Sequence, residues 1–383
     1  MIIFGFWLSV FFIFFSYLLY PLLLGVLAKN KKQDYPAFSA DELPFVSIVM
    51  AAFNEEKVIG QKLKSIFDSD LPAEHYEILI GSDNSDDRTA SIVKSFQKDH
   101  PNIIFHNYRE RRGKQNVVND LVKEAQGEIL ILTDANVIFD KNTIFELVKY
   151  FKNSSIGLVD SNMVNMGLKE DGISYQEQAY ISREVGIKYK EGVLWGAMMG
   201  PFGGCYAIRK ENYREVPPNT LVDDFYINMT IFEQGLKAIN NVNAKVFDEI
   251  PNDLSVEFRR KIRIGTGNFQ NLARFWHLLF KAPYGFPFLA HKVLRWFGPF
   301  ILIKAFLFNL WLIPVCKIYV LIFFIQMIVY MIPLADFFLK RLGIHNRVFR
   351  LITHFLAMNL ALFIGFFKSL TRVKSGVWER TAR

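Results

Sequence analysis

The 383-residue sequence lacks several features that would each have set its class. It has only two cysteines, Cys205 and Cys316, far apart and in different kinds of segment. They do not form the disulfide framework of a secreted domain, which fits a cytosolic catalytic portion. No Gly-x-Gly-x-x-Gly follows the first predicted strand, and no Gly-x-x-x-x-Gly-Lys-Ser/Thr occurs anywhere. These two absences argue against a dinucleotide-binding fold and against a P-loop.

Charge is also missing, because no charged residue occurs between Met1 and Ala28. About 20 apolar residues span a bilayer, and this run is longer. A secretory signal would have a basic start and a shorter apolar core. We therefore predict a retained transmembrane helix. Lys29, Lys31 and Lys32 follow it, and the positive-inside rule then places residue 29 onward in the cytosol.

The positive charge is concentrated near the C-terminus. Residues 340–383 contain nine basic residues and one acidic residue, which accounts for the whole net charge of +8. This distribution suits anionic lipid headgroups better than nucleic acid. Three further apolar segments, Phe297–Cys316, Ile318–Leu339 and Leu351–Phe367, are predicted to be membrane helices. Three crossings cannot place both basic flanks of the last segment inside, so one segment is a candidate for a re-entrant or interfacial position.

The central part of the chain alternates between apolar strands and helix-spaced segments. The first four predicted strands are Phe45–Ala52, Tyr76–Gly81, Asn102–His106 and Ile129–Leu132. Single helices between strands, in units of about 25–30 residues, indicate an α/β fold with a doubly wound sheet.

Polar loops follow each of these strands and are expected to meet at one edge of the sheet, where such folds bind ligands. The candidate side chains in these loops are Asn54, Glu55, Asp83, Lys114, Asp134 and Asn136. The carboxylates could accept hydrogen bonds from a ring N–H and from hydroxyls of a ligand, and the basic side chains could bind its diphosphate. Asp134 and Asn136 offer oxygen ligands of the kind that Mg²⁺ shares with substrate phosphates. Each loop alone is also compatible with an ordinary turn or helix cap.

Three later segments add candidates. Gly203 and Gly204 precede a strand and could let the backbone approach a ligand closely. Asp223 and Asp224 open a helix, where acids also suit the macrodipole. Side by side, they raise the pKa of one member, which favours a general base. Arg260 and Arg263 lie on a basic helix before an aromatic amphipathic stretch, Phe269–Phe280, that we predict to be interfacial.

The order of these motifs resembles that of family 2 glycosyltransferases, in particular the membrane-embedded cellulose, hyaluronan and poly-N-acetylglucosamine synthases and ceramide glucosyltransferase. The resemblance covers about residues 45–275. It implies a GT-A fold, inverting transfer from a nucleotide sugar, and Mg²⁺ or Mn²⁺. It implies that Asp83 binds the base, that Lys114 approaches the diphosphate, that Asp134 and Asn136 hold ribose, diphosphate and metal, and that Asp224 is the catalytic base.

The sequence departs from the family at two positions. Asn136 stands where the family usually has Asp, so weaker cation binding is expected. Ile264 stands where the family has a Trp that would stack on an acceptor sugar, so processive polymerisation is less strongly implied than sugar transfer.

We therefore predict the following organisation: a transmembrane helix over 1–28, a linker over 29–44, a cytosolic GT-A domain over 45–265, interfacial helices over 266–290, transmembrane helices over 291–370 and a basic tail over 371–383. The expected location is a bacterial cytoplasmic membrane.

The expected partners are a UDP-linked sugar, a glycan or lipid-linked acceptor, the bilayer and a subunit for export, with no nucleic acid. The expected role is in envelope or extracellular polysaccharide synthesis. The alternatives are a glycolipid synthase that adds one sugar, a nucleotide-sensing transporter or channel, and a non-catalytic partner subunit.

Overall fold

A computed structural model of the chain describes residues 1–166, 174–249, 253–344 and 346–371. An eight-stranded mixed sheet lies at its centre, in the order β3-β2-β1-β4-β7-β6-β8-β5. The strands are β1 Val46–Ala52, β2 Tyr76–Asp83, β3 Ile103–Tyr108, β4 Ile129–Thr133, β5 Ile138–Phe139, β6 Ile156–Met166, β7 Cys205–Arg209 and β8 Lys237–Glu249.

Twelve helices surround or flank this sheet within the described residues. In chain order they are α1 Ile2–Leu27, α2 Ile59–Phe67, α3 Thr89–Asp99, α4 Lys114–Glu124, α5 Thr143–Val148, α6 Ser174–Trp195, α7 Asp223–Glu233, α8 Leu254–Phe275, α9 Gly285–Trp296, α10 Gly298–Leu312, α11 Lys317–Arg341 and α12 Arg347–Ser369.

Strands β1, β2 and β4 are buried along their whole length. Alternate side chains of β1 face opposite layers, because Ile48 and Met50 pack with α2, α3 and α5 while Val49 packs with α4, α7 and α8. Burial on both faces explains why the strands are continuous apolar runs. The predicted doubly wound α/β sheet is therefore present.

Strand directions determine which loops share an edge. Strands β3, β2, β1 and β4 are parallel, and β7 is antiparallel to β4 with Thr133 opposite Cys205. The segment before β7 thus lies at the edge where β4 ends. Strand β6 is antiparallel to β7 and parallel to β8, so β8 also ends at that edge.

From the sequence, the segment Ala244–Phe247 is predicted to be a strand, which is only the second half of β8, and no strand is predicted at β5. The first half of β8 is polar, with Asn240 and Asn241 both buried. Their amide nitrogens have partners, because Asn240 Nδ2 donates to Asp160 over 2.9 Å and Asn241 Nδ2 donates to Glu146 over 2.7 Å. Buried strand residues that rely on hydrogen-bond partners leave no apolar pattern to read.

Among the described residues, three helices are long and apolar enough to cross a membrane: α1, α11 and α12. A fourth crossing would combine α9 and α10, which meet at a bend of 64° and form either a broken span or a re-entrant loop. The bend lies in the first of the three predicted C-terminal segments. The predicted boundary at 265 falls inside the continuous helix α8, and the predicted basic tail lies outside the described residues from 372 onward.

A buried polar cluster joins α1 and α9, which belong to the candidate membrane-spanning segments, to α6. His291 of α9 contacts Glu184 and Glu191 of α6 through its two ring nitrogens, each over 2.8 Å. Tyr20 of α1 donates to Glu191 over 2.8 Å, and Arg295 pairs with Glu184. Because buried charges are tolerated only when paired, these contacts require α1, α6 and α9 to stay together.

Helices α8 and α12 cross at two glycines. A Cβ added at Gly365 would lie 2.9 Å from the backbone carbon of Gly265 and 2.9 Å from the Thr266 nitrogen. Backbone atoms cannot rotate away, so a side chain at residue 365 would force the helices apart.

We expect Gly365→Leu to lower stability by roughly 1–3 kcal/mol through overpacking, measured as a lower midpoint of thermal unfolding in detergent. Gly186→Ala is the matched control, because Gly186 also lies inside a helix and a Cβ there meets no atom within 4 Å. Its midpoint should be unchanged or higher, since Ala favours helix by about 1 kcal/mol. Equal midpoints for both variants would contradict this close crossing.

Candidate active site

The loops after β1 and β2 hold each other at the carboxyl edge of the sheet. Asn54 has a positive φ of 55°, and its side chain accepts the Asp86 backbone N–H over 3.0 Å. The Glu55 backbone N–H donates to Thr89 Oγ1 over 2.8 Å. The predicted residues Asn54 and Glu55 therefore lie at this edge, where their backbone and the Asn54 side chain connect two loops.

Asp83 ends β2 and is 3% exposed. Its carboxylate accepts the backbone N–H of Arg112 over 2.6 Å and that of Gly113 over 3.0 Å, and it lies 3.3 Å from Arg111 Nε. The Arg111 guanidinium also stacks 3.3 Å from the centre of the Phe53 ring. Asp83 thus fixes the loop that leads directly into Lys114.

Lys114, the first residue of α4, brings three of the predicted acids together. Its ammonium lies 2.6 Å from Asp134 Oδ1 and 3.9 Å from Asp223 Oδ2. Burial opposes the charged form, but Asp134, Asp223 and Asp224 outweigh it and raise the pKa of Lys114. The ammonium therefore stays charged at neutral pH and screens the acids from one another.

Asp224 lies beside Asp223 in the first turn of α7. Burial, followed by the repulsion of Asp223, raises the pKa of Asp224 to about 7, against the opposing effects of the Phe225 backbone N–H, Lys114 and Arg263. A carboxyl group with this pKa can accept and release a proton at neutral pH. Gly203 lies against it, since a Cβ at residue 203 would be 2.6 Å from Asp224 Oδ2.

The Asp134-Ala135-Asn136 triplet after β4 is fixed from three sides. The Asp134 backbone N–H donates to the Gly204 carbonyl over 2.9 Å. The buried Lys62 ammonium donates to Thr133 Oγ1 over 2.9 Å and to the Val137 carbonyl over 2.5 Å. Asn136 donates from Nδ2 to Asp248 Oδ1 over 2.6 Å. The side chain of Asp134 remains 22% exposed.

The two predicted arginines of α8 differ in their surroundings. Arg263 donates to the Leu221 carbonyl over 3.4 Å, and Asp223, Asp224 and Asp134 all act on its charge. Arg260 instead pairs with Glu257 over 3.0 Å. The structure thus brings Arg263 to the acid cluster, whereas the Arg260 guanidinium is held by its own helix.

Three residues at this edge were missed from sequence: Lys62, Arg111 and Asp248. Lys62 occurs on an amphipathic helix, where a lysine normally faces water, and only the structure shows that it is fully buried. Asp248 directly follows the predicted strand Ala244–Phe247, so listing the residue after each strand would have found it. Arg111 was one of several basic residues in its loop, and nothing in the sequence distinguishes it.

Comparison with known proteins shows what this domain is similar to. A family model described as Glycosyl transferase family 2 matches residues 47–216. The chain is 30% identical over 249 residues to a poly-beta-1,6-N-acetyl-D-glucosamine synthase of Staphylococcus aureus, covering 64% of this chain and 59% of the relative. It is 24% identical over 251 residues to a beta-monoglucosyldiacylglycerol synthase of Synechocystis sp., covering 63% and 51%. The chain thus spans little more than half of these relatives.

A solved structure supports the fold. A mannosyltransferase from Pyrobaculum calidifontis, determined in complex with GDP-Man and Mn²⁺, superposes with a TM-score of 0.73 at 19% identity, covering 97% of this chain and 99% of that one. The predicted GT-A fold is confirmed. The resemblance predicted from sequence is also confirmed, since the family model for glycosyl transferase family 2 matches residues 47–216.

Proposed function

We propose that this protein is an inverting glycosyltransferase that transfers a sugar from a nucleotide sugar to a glycan or lipid-linked acceptor at a membrane. The observation that carries the proposal is the Lys114 ammonium between Asp134 and Asp223, beside an Asp224 whose pKa is raised to about 7. A cation for a diphosphate and a carboxylate able to take a proton at neutral pH thus share one cleft.

The proposed reaction is a single displacement. Asp224 removes the proton of the acceptor hydroxyl. At the same time, the acceptor oxygen forms a bond to the anomeric carbon of the donor sugar, on the face opposite the diphosphate. The bond from the anomeric carbon to the diphosphate oxygen breaks, and the nucleoside diphosphate leaves with that electron pair. Lys114 and Arg263 are placed to stabilise the negative charge that develops on the leaving group. Glycine at residue 203 lets the backbone lie against the Asp224 carboxylate, where a Cβ would clash.

The residues at the triplet fit a divalent cation. Asp134 and Asn136 supply oxygen donors at a strand end, and Mg²⁺ sites that share substrate phosphates need only one or two carboxylates. Among the described residues, no three His, Cys, Asp or Glu side chains group into a metal cluster of their own. We propose that Asp134 and Asn136 hold Mg²⁺ or Mn²⁺, which when bound would neutralise charge on the diphosphate.

We assign the remaining predicted residues to the donor and acceptor. Asn54, Glu55 and Asp83 form the side of the cleft that would receive the nucleoside, and a UDP-sugar is the first donor to test. GDP-mannose belongs in the same screen, because the mannosyltransferase with this fold binds it. We assign Gly204, Asp223 and Arg260 to the acceptor and diphosphate region.

We propose a membrane location with this edge in the cytosol. Lys29, Lys31 and Lys32 directly follow α1, which supports a cytosolic side by the positive-inside rule. Trp276 and Phe280, which follow α8, are 58% and 81% exposed. Exposed aromatic side chains next to a basic helix suit the membrane interface.

A glycolipid synthase that adds one sugar is the second candidate. Ile264 stands on α8 where a stacking Trp would hold a growing glycan, and an aliphatic side chain gives no such platform. One relative is named as a poly-beta-1,6-N-acetyl-D-glucosamine synthase and another as a beta-monoglucosyldiacylglycerol synthase. Measuring the length of the product separates the two candidates.

Nucleoside diphosphate release by the protein in nanodiscs, with a panel of nucleotide sugars, tests the proposal. Asp224→Asn should lower kcat by about 10²–10⁴-fold, the usual contribution of a general base, while KM for the donor changes little. Asp99→Asn, the same change on an exposed part of α3, is the control and should retain full turnover. Full turnover by Asp224→Asn would reject the assignment of Asp224 as the general base. Nucleotide binding without sugar consumption would favour a nucleotide-sensing protein over a transferase.

The pH dependence gives a second test. Asp224 must be ionised to act as a base, so kcat/KM should rise as the pH passes through about 7. Asp223→Asn removes the neighbouring negative charge, which lowers the pKa of Asp224 and should move this rise to lower pH. A rise at the same pH in both proteins, or activity that falls through neutral pH, would contradict the assignment.

A further inference from the structure

Asn136 has an acidic partner that the triplet motif does not include. The residue is 7% exposed, and its Nδ2 donates to Asp248 Oδ1 over 2.6 Å. The same oxygen accepts the Glu249 backbone N–H over 2.8 Å. The Asp248 carboxylate is therefore held against the third position of the triplet.

The sheet topology brings these two residues together. Strand β8 runs in the same direction as β4, so its carboxyl end lies at the ligand-binding edge. Strand β5 begins one residue after the triplet and pairs with β8, with Ile138 opposite Phe247. This register places Asp248 alongside Val137 and Asn136.

Asp134 and Asp248 both act on the charge of the buried Lys62 ammonium. Burial lowers the pKa of Lys62 to about 7, and the carboxylates of Asp134 and Asp248 both oppose that lowering. The negative charge of Asp248 also acts on the Arg260 guanidinium and contributes to raising its pKa. Two carboxylates, one directly after β4 and one on β8, thus act on the same buried ammonium.

We propose that Asp248 supplies the second carboxylate of the divalent-cation site, in place of the one that the triplet lacks at residue 136. This inference rests on the proposed function, because the cation is the one that would accompany the nucleotide sugar. An Asp at residue 136 would place two carboxylates in direct contact, and like charges that close repel strongly. The Asn136 amide instead donates to Asp248, so the pair carries one negative charge. The charge would be the same if the Asp stood at residue 136 and the Asn at residue 248.

The test measures Mn²⁺ binding by the electron paramagnetic resonance signal of free Mn²⁺, with the full-length protein in detergent, alone and with UDP or GDP. Asp248→Asn should weaken Mn²⁺ binding at least about tenfold, because ligand charge sets the affinity of such sites. The double variant Asn136→Asp/Asp248→Asn returns a carboxylate to the triplet and should bind within about threefold of the unaltered protein.

The single variant Asn136→Asp adds a distinct prediction. Without metal, its two facing carboxylates should lower the midpoint of thermal unfolding, and Mn²⁺ should raise that midpoint by more than it does in the unaltered protein. Glu249→Gln is the matched control, since it removes a charge from the neighbouring, exposed position on β8. It should leave Mn²⁺ binding unchanged.

The outcomes separate this inference from the proposed function. The role of Asp248 would be overturned if the Asp248→Asn variant bound Mn²⁺ as tightly as the unaltered protein. It would also be overturned if the double variant bound Mn²⁺ no more tightly than Asp248→Asn. Both conclusions would hold even if sugar transfer is observed. Absence of Mn²⁺ binding by the unaltered protein under all conditions would overturn it as well. Mn²⁺ binding that depends on Asp248 but without sugar transfer from any donor would support the site and reject the transferase.

Discussion

The contact between the Lys114 ammonium and the surrounding carboxylates is the interaction on which the cleft depends. Asp134 and the pair Asp223 and Asp224 come from segments about 90 residues apart in the sequence. Two unit charges 4 Å apart interact by about 4 kcal/mol at an effective dielectric constant of 20. Without a cation among them, these acids would separate or take up protons. Lys114 keeps them together, and a nucleoside diphosphate would have to compete with Asp134 for the same ammonium.

The mixed sheet makes this arrangement possible. A purely parallel sheet would place the start of each strand at the far edge, away from the ligands. Because β7 is antiparallel to β4, its first residues begin where β4 ends, and Gly203 and Gly204 come to the cleft. Helix α7 then carries Asp224 into contact with Gly203. The close approach at Gly203 shows why glycine is needed there, since any side chain would meet the Asp224 carboxylate.

Much of the fold could be predicted because the parallel strands are buried on both faces, so each one is a continuous run of apolar residues in the sequence. The acids of the cleft could be found because each follows a strand or opens a helix. Lys62 and the first half of β8 could not be found in this way. Their burial depends on partners such as Thr133, Val137 and Asp160, which lie far away in the sequence. Polar residues that are buried by pairing show no periodicity, so their environment emerges only from the folded chain.

The most direct test of the central claim is a cryo-EM structure of the protein in nanodiscs with UDP or GDP and Mn²⁺. We expect diphosphate density next to the Lys114 ammonium, with the Lys114–Asp134 contact opened and the Asp224 carboxylate facing the space beyond the terminal phosphate. Nucleotide bound away from Lys114, or an intact contact between Lys114 and Asp134 beside a bound nucleotide, would contradict it.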